Sequence, residues 1–192
     1  MNNQVTHKAL VLGGARSGKS RYAEALVKQW SQLHGDSMRH YIATAQPMDA
    51  EMAQRIAHHQ LTRGEGWTLH ECPLHLSEYL SRFNSSDVVL IDCLTLWLNN
   101  QIYHFGESCA QAQLDPVLEQ LVNAVNACPA NVVMVANEVG LGIVPLGAVS
   151  RLFVDNAGRL NQMLAAHCDY VQFVAAGLPM TLKAPRREEG RV

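Results

Sequence analysis

Gly13-Gly14-Ala15-Arg16-Ser17-Gly18-Lys19-Ser20 decides the reading of this chain, because it fits G-x-x-x-x-G-K-[ST], the phosphate-binding P-loop. The flanks agree. Lys8-Ala9-Leu10-Val11-Leu12 is a short apolar run that reads as a strand. Arg21 to Trp30 reads as a helix with Tyr22, Leu26 and Trp30 on one face. Glycines let the backbone turn its N–H groups toward phosphate oxygens, and the helix that follows adds its positive amino end. In that geometry Lys19 reaches the β/γ-phosphates and Ser20 holds Mg²⁺. Phosphate contacts are expected along the whole loop, from Gly13, Gly14, Ala15, Arg16, Ser17 and Gly18 to Lys19 and Ser20.

Working outward, 192 residues with 48% apolar side chains suit one domain with a sizeable core. A net charge of -2 gives no broad basic field for nucleic acid. No apolar run approaches the ~18 residues needed to cross a bilayer. Met1 to His7 is polar and does not resemble a signal peptide, so a cytoplasmic location is expected. The five cysteines (Cys72, Cys93, Cys109, Cys128, Cys168) form no C-x-x-C pair and read as reduced, mostly buried thiols. Nine histidines form no zinc pattern, and only His58 and His59 are adjacent.

Strand and helix signals alternate. Strands are expected at Ala9–Gly13, His40–Ala43, Val88–Asp92, Val132–Ala136 and Tyr170–Ala175, with Thr181–Lys183 as a short edge strand. Helices are expected at Arg21–Leu33, Ala50–Gln60, Leu74–Phe83, Leu94–Ile102, Pro116–Ala127 and Val149–Ala166. Runs such as Val88-Val89-Leu90-Ile91 and Val132-Val133-Met134-Val135 are apolar throughout, as in a parallel sheet covered on both faces. The expected fold is α/β: a P-loop NTPase (RecA-like) three-layer fold with a mostly parallel central sheet, in one domain over 1–192 whose tail frays from about Pro185.

Val88 to Asp92 supplies a second nucleotide signal. An apolar strand ending in a carboxylate is expected beside the P-loop strand, with Asp92 on Mg²⁺; the alternative is that Asp92 caps the next helix. No guanine-reading N-K-x-D is present, and Asp155-Asn156-Ala157-Gly158 lies in a helix-like stretch, which counts against a switch GTPase. Arg151 and Arg159 suit either a kinase lid or a salt-bridged surface helix. Asn137 and Glu138 follow an apolar strand at the sheet edge and suit either substrate orientation or capping. Trp97 and Leu98 read as core or subunit contact. Kinase, ATPase and nucleotide-dependent binding protein all stay open on this chemistry.

Asp49 to His59 reads as a helix with Asp49 as N-cap and with Glu51, Arg55 and His58 on one face. A neutral imidazole near a phosphate site is a competent nucleophile near pH 7, yet His58 and His59 also suit a helix end, where the dipole favours them.

Several blocks occur in fixed order: Gly-Gly-Ala-Arg-Ser-Gly-Lys-Ser-Arg (13–21), Tyr-Ile-Ala-Thr (41–44), Glu-Met-x-x-Arg-Ile-x-His-His (51–59), Arg63-x-x-x-Trp67, Asn-Glu-Val-Gly-x-Gly-Ile-Val-Pro (137–145) and Arg-x-Phe-x-Asp-x-Ala-Gly-Arg-x-Asn-Gln (151–162). Together they resemble the bifunctional adenosylcobinamide kinase / adenosylcobinamide-phosphate guanylyltransferase family of cobalamin biosynthesis, from Ala9 to about Lys183. The resemblance implies two reactions. ATP or GTP phosphorylates the aminopropanol hydroxyl of adenosylcobinamide. GTP then passes GMP through an enzyme histidine to the phosphorylated product, giving adenosylcobinamide-GDP and pyrophosphate. It further implies that His58 is the guanylylated residue. Nucleotide contacts would fall on the P-loop, on Ile42, Ala43 and Thr44, on His59, Gln60, Leu61, Thr62 and Arg63, and on Glu71 and Asp92. A homo-oligomer, as a trimer, is implied in the same way.

Overall fold

Continuous apolar strands need cover on both faces, and the chain supplies it as three layers. The computed structural model describes residues 6–33, 35, 37–46, 64–106 and 108–185. Its strands are β1 (Lys8–Gly13), β2 (Met38–Ala43), β3 (Trp67–Glu71), β4 (Asp87–Asp92), β5 (Asn131–Asn137), β6 (Tyr170–Ala175) and β7 (Leu178–Lys183), in spatial order β3-β2-β4-β5-β1-β6-β7. Every pairing is parallel except β6 with β7. The helices are α1 (Lys19–Leu33), α2 (Leu76–Tyr79, continued by a 3₁₀ turn Leu80–Arg82), α3 (Leu94–Phe105), α4 (Gln111–Ala127) and α5 (Ala148–His167).

Alternation along each strand divides the core in two. Ala9, Val11, Val88, Leu90, Val133 and Val135 pack against Ala23, Val27 and Trp30 of α1. Leu10, Leu12, Ile42, Val89, Ile91, Val132 and Met134 pack against side chains of α2 to α5, among them the buried Trp97 and Leu98. Each buried Val, Leu, Ile or Met among them contributes about 1.5–3 kcal/mol. All five cysteines are free thiols, and four are buried.

Four expectations change. The acid-tipped strand β4 does not lie beside the P-loop strand. β5 stands between them, in register with β1 at Gly13↔Asn137 and with β4 at Asp92↔Val135. Pattern alone cannot order strands that are all equally apolar. A strand at Trp67–Glu71 was not expected, because Trp-Thr-Leu-His-Glu sits at the sheet edge and is largely exposed. The Leu74–Phe83 helix is a short α turn tightened into 3₁₀, and α4 begins at Gln111 rather than Pro116, with Gln113 Oε1 accepting the Ala110 N–H at 2.9 Å. The expected helix Ala50–Gln60 lies outside the described residues.

α5 covers Asp155–Gly158, which removes the switch reading of that stretch. The fully buried Asn156 carboxamide pairs reciprocally with Gln111 of α4 at 2.8 and 2.9 Å. A buried amide satisfied in this way clamps two helices together.

A second polar chain crosses the sheet below its carboxyl edge. The Tyr79 hydroxyl lies 2.8 Å from His70 Nδ1, His70 Nε2 lies 3.0 Å from His40 Nδ1, and His40 Nε2 lies 3.3 Å from Asp87 Oδ1. One set of tautomers serves the first two as hydrogen bonds. Tyr79 donates to His70, His70 Nε2–H donates to His40, and His40 Nε2–H points at Asp87. Burial, then His40 and Arg82, hold the His70 pKa below its ordinary value. The unfolded chain therefore takes up this proton first as pH falls, so the contribution is complete above about 6.5 and is lost below it. The expected outcome is a melting temperature that falls between pH 7 and pH 5, with a smaller fall in His70→Asn, read by thermal unfolding across that range.

Candidate nucleotide-binding site

β1 delivers Gly13 to the carboxyl edge of the sheet, and the chain turns there into α1. Gly13 has no room for a side chain: a Cβ would collide with the Val174 carbonyl and lie 2.6 Å from Ser17 Oγ. Gly18 takes φ +95°, and a Cβ there would lie 3.1 Å from Gly177 Cα. Both positions need glycine. The loop is held from two sides. Glu138 N–H, just past β5, donates to Gly13 O at 3.1 Å, and Gly177 N–H, in the β6–β7 turn, donates to Ser17 O at 2.8 Å.

Lys19 is buried, and its Nζ donates to Gly14 O at 3.1 Å, which holds the ammonium over the loop. Gly14, Ala15 and Arg16 are exposed at the loop's crest, and Ser20 is half-buried in the first turn of α1. The arrangement is an anion cradle, with backbone N–H groups, a helix amino end and one ammonium converging.

Asp92 ends β4 on the α1 face, and its Oδ2 accepts the Tyr41 hydroxyl at 2.8 Å. That bond orients the carboxylate. Asp92 and Ser20 are hard oxygen donors at one edge, which is the chemistry Mg²⁺ takes. The residue after Asp92 is no nucleophile. Burial, then the Asp92 charge, push the Cys93 thiol up to about 12.

Thr44 works differently from a ligand contact. It is fully buried; its Oγ1 donates to Cys93 O at 2.7 Å and accepts Cys93 N–H at 2.9 Å. Its carbonyl accepts Asn100 Nδ2–H at 2.8 Å, and its N–H donates to Asp92 O at 3.2 Å. Thr44 thus ties the ends of β2, β4 and α3 together. Ile42 is fully buried, with its side chain in the core and its strand position paired with β3 at His70 and β4 at Ile91. Ala43 is half-buried, and Glu71 is exposed at the end of β3. Sequence reading gave no sign of the Tyr41–Asp92 bond or the Thr44 brace, since both join residues about fifty apart. The turn over Ser17 had a weak sign in Ala176-Gly177 between two apolar runs.

The arginines of α5 do not point to a lid. Arg159 pairs with Asp115 at 2.7 Å. Arg151 donates to Pro145 O at 3.1 Å and to Leu146 O, bracing the loop ahead of the helix. His58, His59, Gln60, Leu61, Thr62 and Arg63 lie outside the described residues.

Residues 9–182 match the family model described as cobinamide kinase / cobinamide phosphate guanyltransferase. The chain is 46% identical over 176 residues to the bifunctional adenosylcobalamin biosynthesis protein CobP of Pseudomonas aeruginosa, covering 91% of this chain and 96% of that one. It is 42% identical over 185 residues to the bifunctional adenosylcobalamin biosynthesis protein CobU of Escherichia coli, covering 91% and 98%. In fold it resembles the flagellar accessory protein FlaH from Methanocaldococcus jannaschii, with TM-score 0.50 and 11% identity over 96% of this chain and 82% of that one. A solved ATPase domain gives the same TM-score, 0.50, at 12% identity, covering 87% and 68%. The fold is that of a P-loop NTPase.

Lys19→Ala removes the cradle's ammonium. A charge-assisted contact is worth about 1.5–3 kcal/mol, so nucleoside triphosphate affinity is expected to fall about 10–100-fold by titration calorimetry.

Proposed function

Because this chain belongs to the cobinamide kinase / cobinamide phosphate guanyltransferase family, we propose that a single phosphate cradle serves both of its reactions. The chain is an adenosylcobinamide kinase and an adenosylcobinamide-phosphate guanylyltransferase of adenosylcobalamin biosynthesis. The observation that carries the single-cradle reading is the P-loop at Gly13–Ser20, clamped by Glu138 and Gly177 and capped by Lys19.

In the first reaction the cradle holds ATP or GTP, and the terminal phosphoryl group passes to the cobinamide hydroxyl. In the second it holds GTP. A ring nitrogen of His58 attacks the α-phosphorus, the bond to the bridging oxygen breaks, and pyrophosphate leaves. A phosphate oxygen of the phosphorylated cobinamide then attacks the same phosphorus and frees the histidine. Covalent catalysis splits one hard transfer into two easier ones. Lys19 offsets charge on the phosphates in both reactions. Mg²⁺, held by Ser20 and Asp92, would neutralise the phosphate oxygens further. Tyr41 keeps Asp92 oriented for that task. Ala43, Glu71 and residues 59–63 are proposed to contact the guanine nucleotide, at an edge supported by the fully buried Ile42 and Thr44.

The protein is proposed to work as a homo-oligomer, a trimer, in the cytoplasm. Among the described residues no helix is long and apolar enough to cross a membrane. Support for self-association comes from the loop before α5, where Leu141, Ile143, Val144 and Leu146 are 79%, 99%, 72% and 97% exposed. Leu178, Met180 and Leu182 of the edge strand β7 are exposed as well. A patch of this kind is normally covered by a partner.

Two outcomes are expected. GTP labelled at the α-phosphate should leave an acid-labile, alkali-stable label on the wild type and none on His58→Ala, while γ-labelled GTP leaves none on either. Retention of the α-label by His58→Ala would remove the histidine mechanism. Ile143→Glu with Leu146→Glu should shift sedimentation toward the monomer, and an unchanged sedimentation coefficient would place the subunit contact elsewhere.

A further inference from the structure

Asn137, in register with Gly13 at the carboxyl edge of the sheet, carries an unanswered polar atom. Its Oδ1 is buried and has no hydrogen-bond partner among the described residues. Burying an acceptor without a partner costs about 1–3 kcal/mol, so such an atom calls for an explanation. Capping does not provide one, because it is the backbone N–H of Asn137 that is used, donating to Thr95 Oγ1 at 2.6 Å.

The fold says what the carboxamide faces. Asn137 is the last residue of β5 and pairs in register with Gly13 of the P-loop strand. By strand alternation it lies on the face of Val133 and Val135, which is the face covered by α1. Asp92 shares that face, one strand further out. Lys19 Nζ, which marks the β/γ-phosphate end of a P-loop, is bonded to Gly14 O, next to Gly13. Adjacent strands are about 4.8 Å apart. Strand order therefore sets Asn137 on the α1 face between the acid-tipped strand β4 and the P-loop strand β1, beside the position from which the loop and Lys19 rise. Ser17 Oγ, also buried without a partner, lies against Gly13 on the loop side.

We infer that the Asn137 carboxamide contacts the reacting groups of the kinase step, with Oδ1 accepting the cobinamide hydroxyl and Nδ2–H donating to a terminal phosphoryl oxygen. A carboxamide is suited to this because it offers an acceptor and a donor side by side and carries no charge to repel phosphate. In the step itself the hydroxyl oxygen forms a bond to the γ-phosphorus. The bond from that phosphorus to the β,γ-bridging oxygen breaks, its electron pair stays on the departing diphosphate, and the hydroxyl proton leaves on the transferred phosphoryl group. Such loose transfers depend on positioning more than on a strong base. In guanylyl transfer the reacting phosphorus is the α-phosphorus, away from Asn137. The inference rests on the kinase and shared-cradle reading above.

The test assays both activities in Asn137→Ala and Asn137→Asp of the full chain, with phosphorylated cobinamide supplied for the second activity. Losing one preorganised contact costs about 10²–10³ in turnover, so kinase kcat should fall that far while nucleotide KM changes less than about fivefold and guanylyl transfer falls less than about tenfold. Asn137→Asp, which keeps the shape and adds charge against the phosphate, should be no better than Asn137→Ala. Kinase kcat within about threefold of the parent in Asn137→Ala would overturn the inference. Equal losses in both activities, with a lowered melting temperature, would make Asn137 structural and overturn it too. A parent chain without kinase activity would instead overturn the functional reading, and the inference with it.

Discussion

The site depends on one constraint: the P-loop is suspended between two neighbouring segments. β1 is flanked by β5 and β6, and each neighbour sends a backbone N–H into the loop just past its own end, Glu138 to Gly13 and Gly177 to Ser17. Glycine at positions 13 and 18 lets those segments approach, because a Cβ at either place would meet Val174 or Gly177. The cradle's shape is thus a property of strand register, set before any ligand arrives. Preorganised donors of this kind are worth far more than donors that must be gathered during the reaction.

A second brace acts on the other half of the edge. Thr44 joins β2 to β4 and α3 through Cys93, Asp92 and Asn100, while Tyr41 fixes the Asp92 carboxylate. These bonds lie at the top of a sheet whose inner strands are apolar on both faces. The polar groups at that edge are thereby held by rigid elements, and β5 places Asn137 between the loop and the acid. The Tyr79–His70–His40–Asp87 chain links residues of β3, β2 and β4 away from the cradle and belongs to the stability of the β2–β3–β4 side.

Much of this could be read in the sequence, for physical reasons that differ by element. The P-loop was legible because phosphate binding needs particular residues at particular spacings. β1, β4 and β5 were legible because strands buried on both faces show as near-continuous apolar runs, and β6 because Gln172 alone interrupts its apolar residues. β3 was not, because Trp67 to Glu71 is a largely exposed edge strand with no such run. Strand order was not legible either. The insertion of β5 between β1 and β4 is a long-range choice among strands of equal hydropathy, and it separates Asp92 from the P-loop strand by one place. Thr44 illustrates the remaining gap. The Tyr-Ile-Ala-Thr block marked a place at the site edge, but only the structure shows its hydroxyl spent on Cys93.

The central claim is that one cradle serves two reactions. It is tested most directly by measuring guanylylation of the protein by GTP while a β,γ-imido analogue of ATP, which cannot donate its terminal phosphoryl group, is titrated in. One shared cradle predicts strictly competitive inhibition, with an inhibition constant equal to the dissociation constant of the analogue and one nucleotide bound per chain. Guanylylation at an undiminished rate with the analogue saturating, or two nucleotides bound per chain, would contradict it.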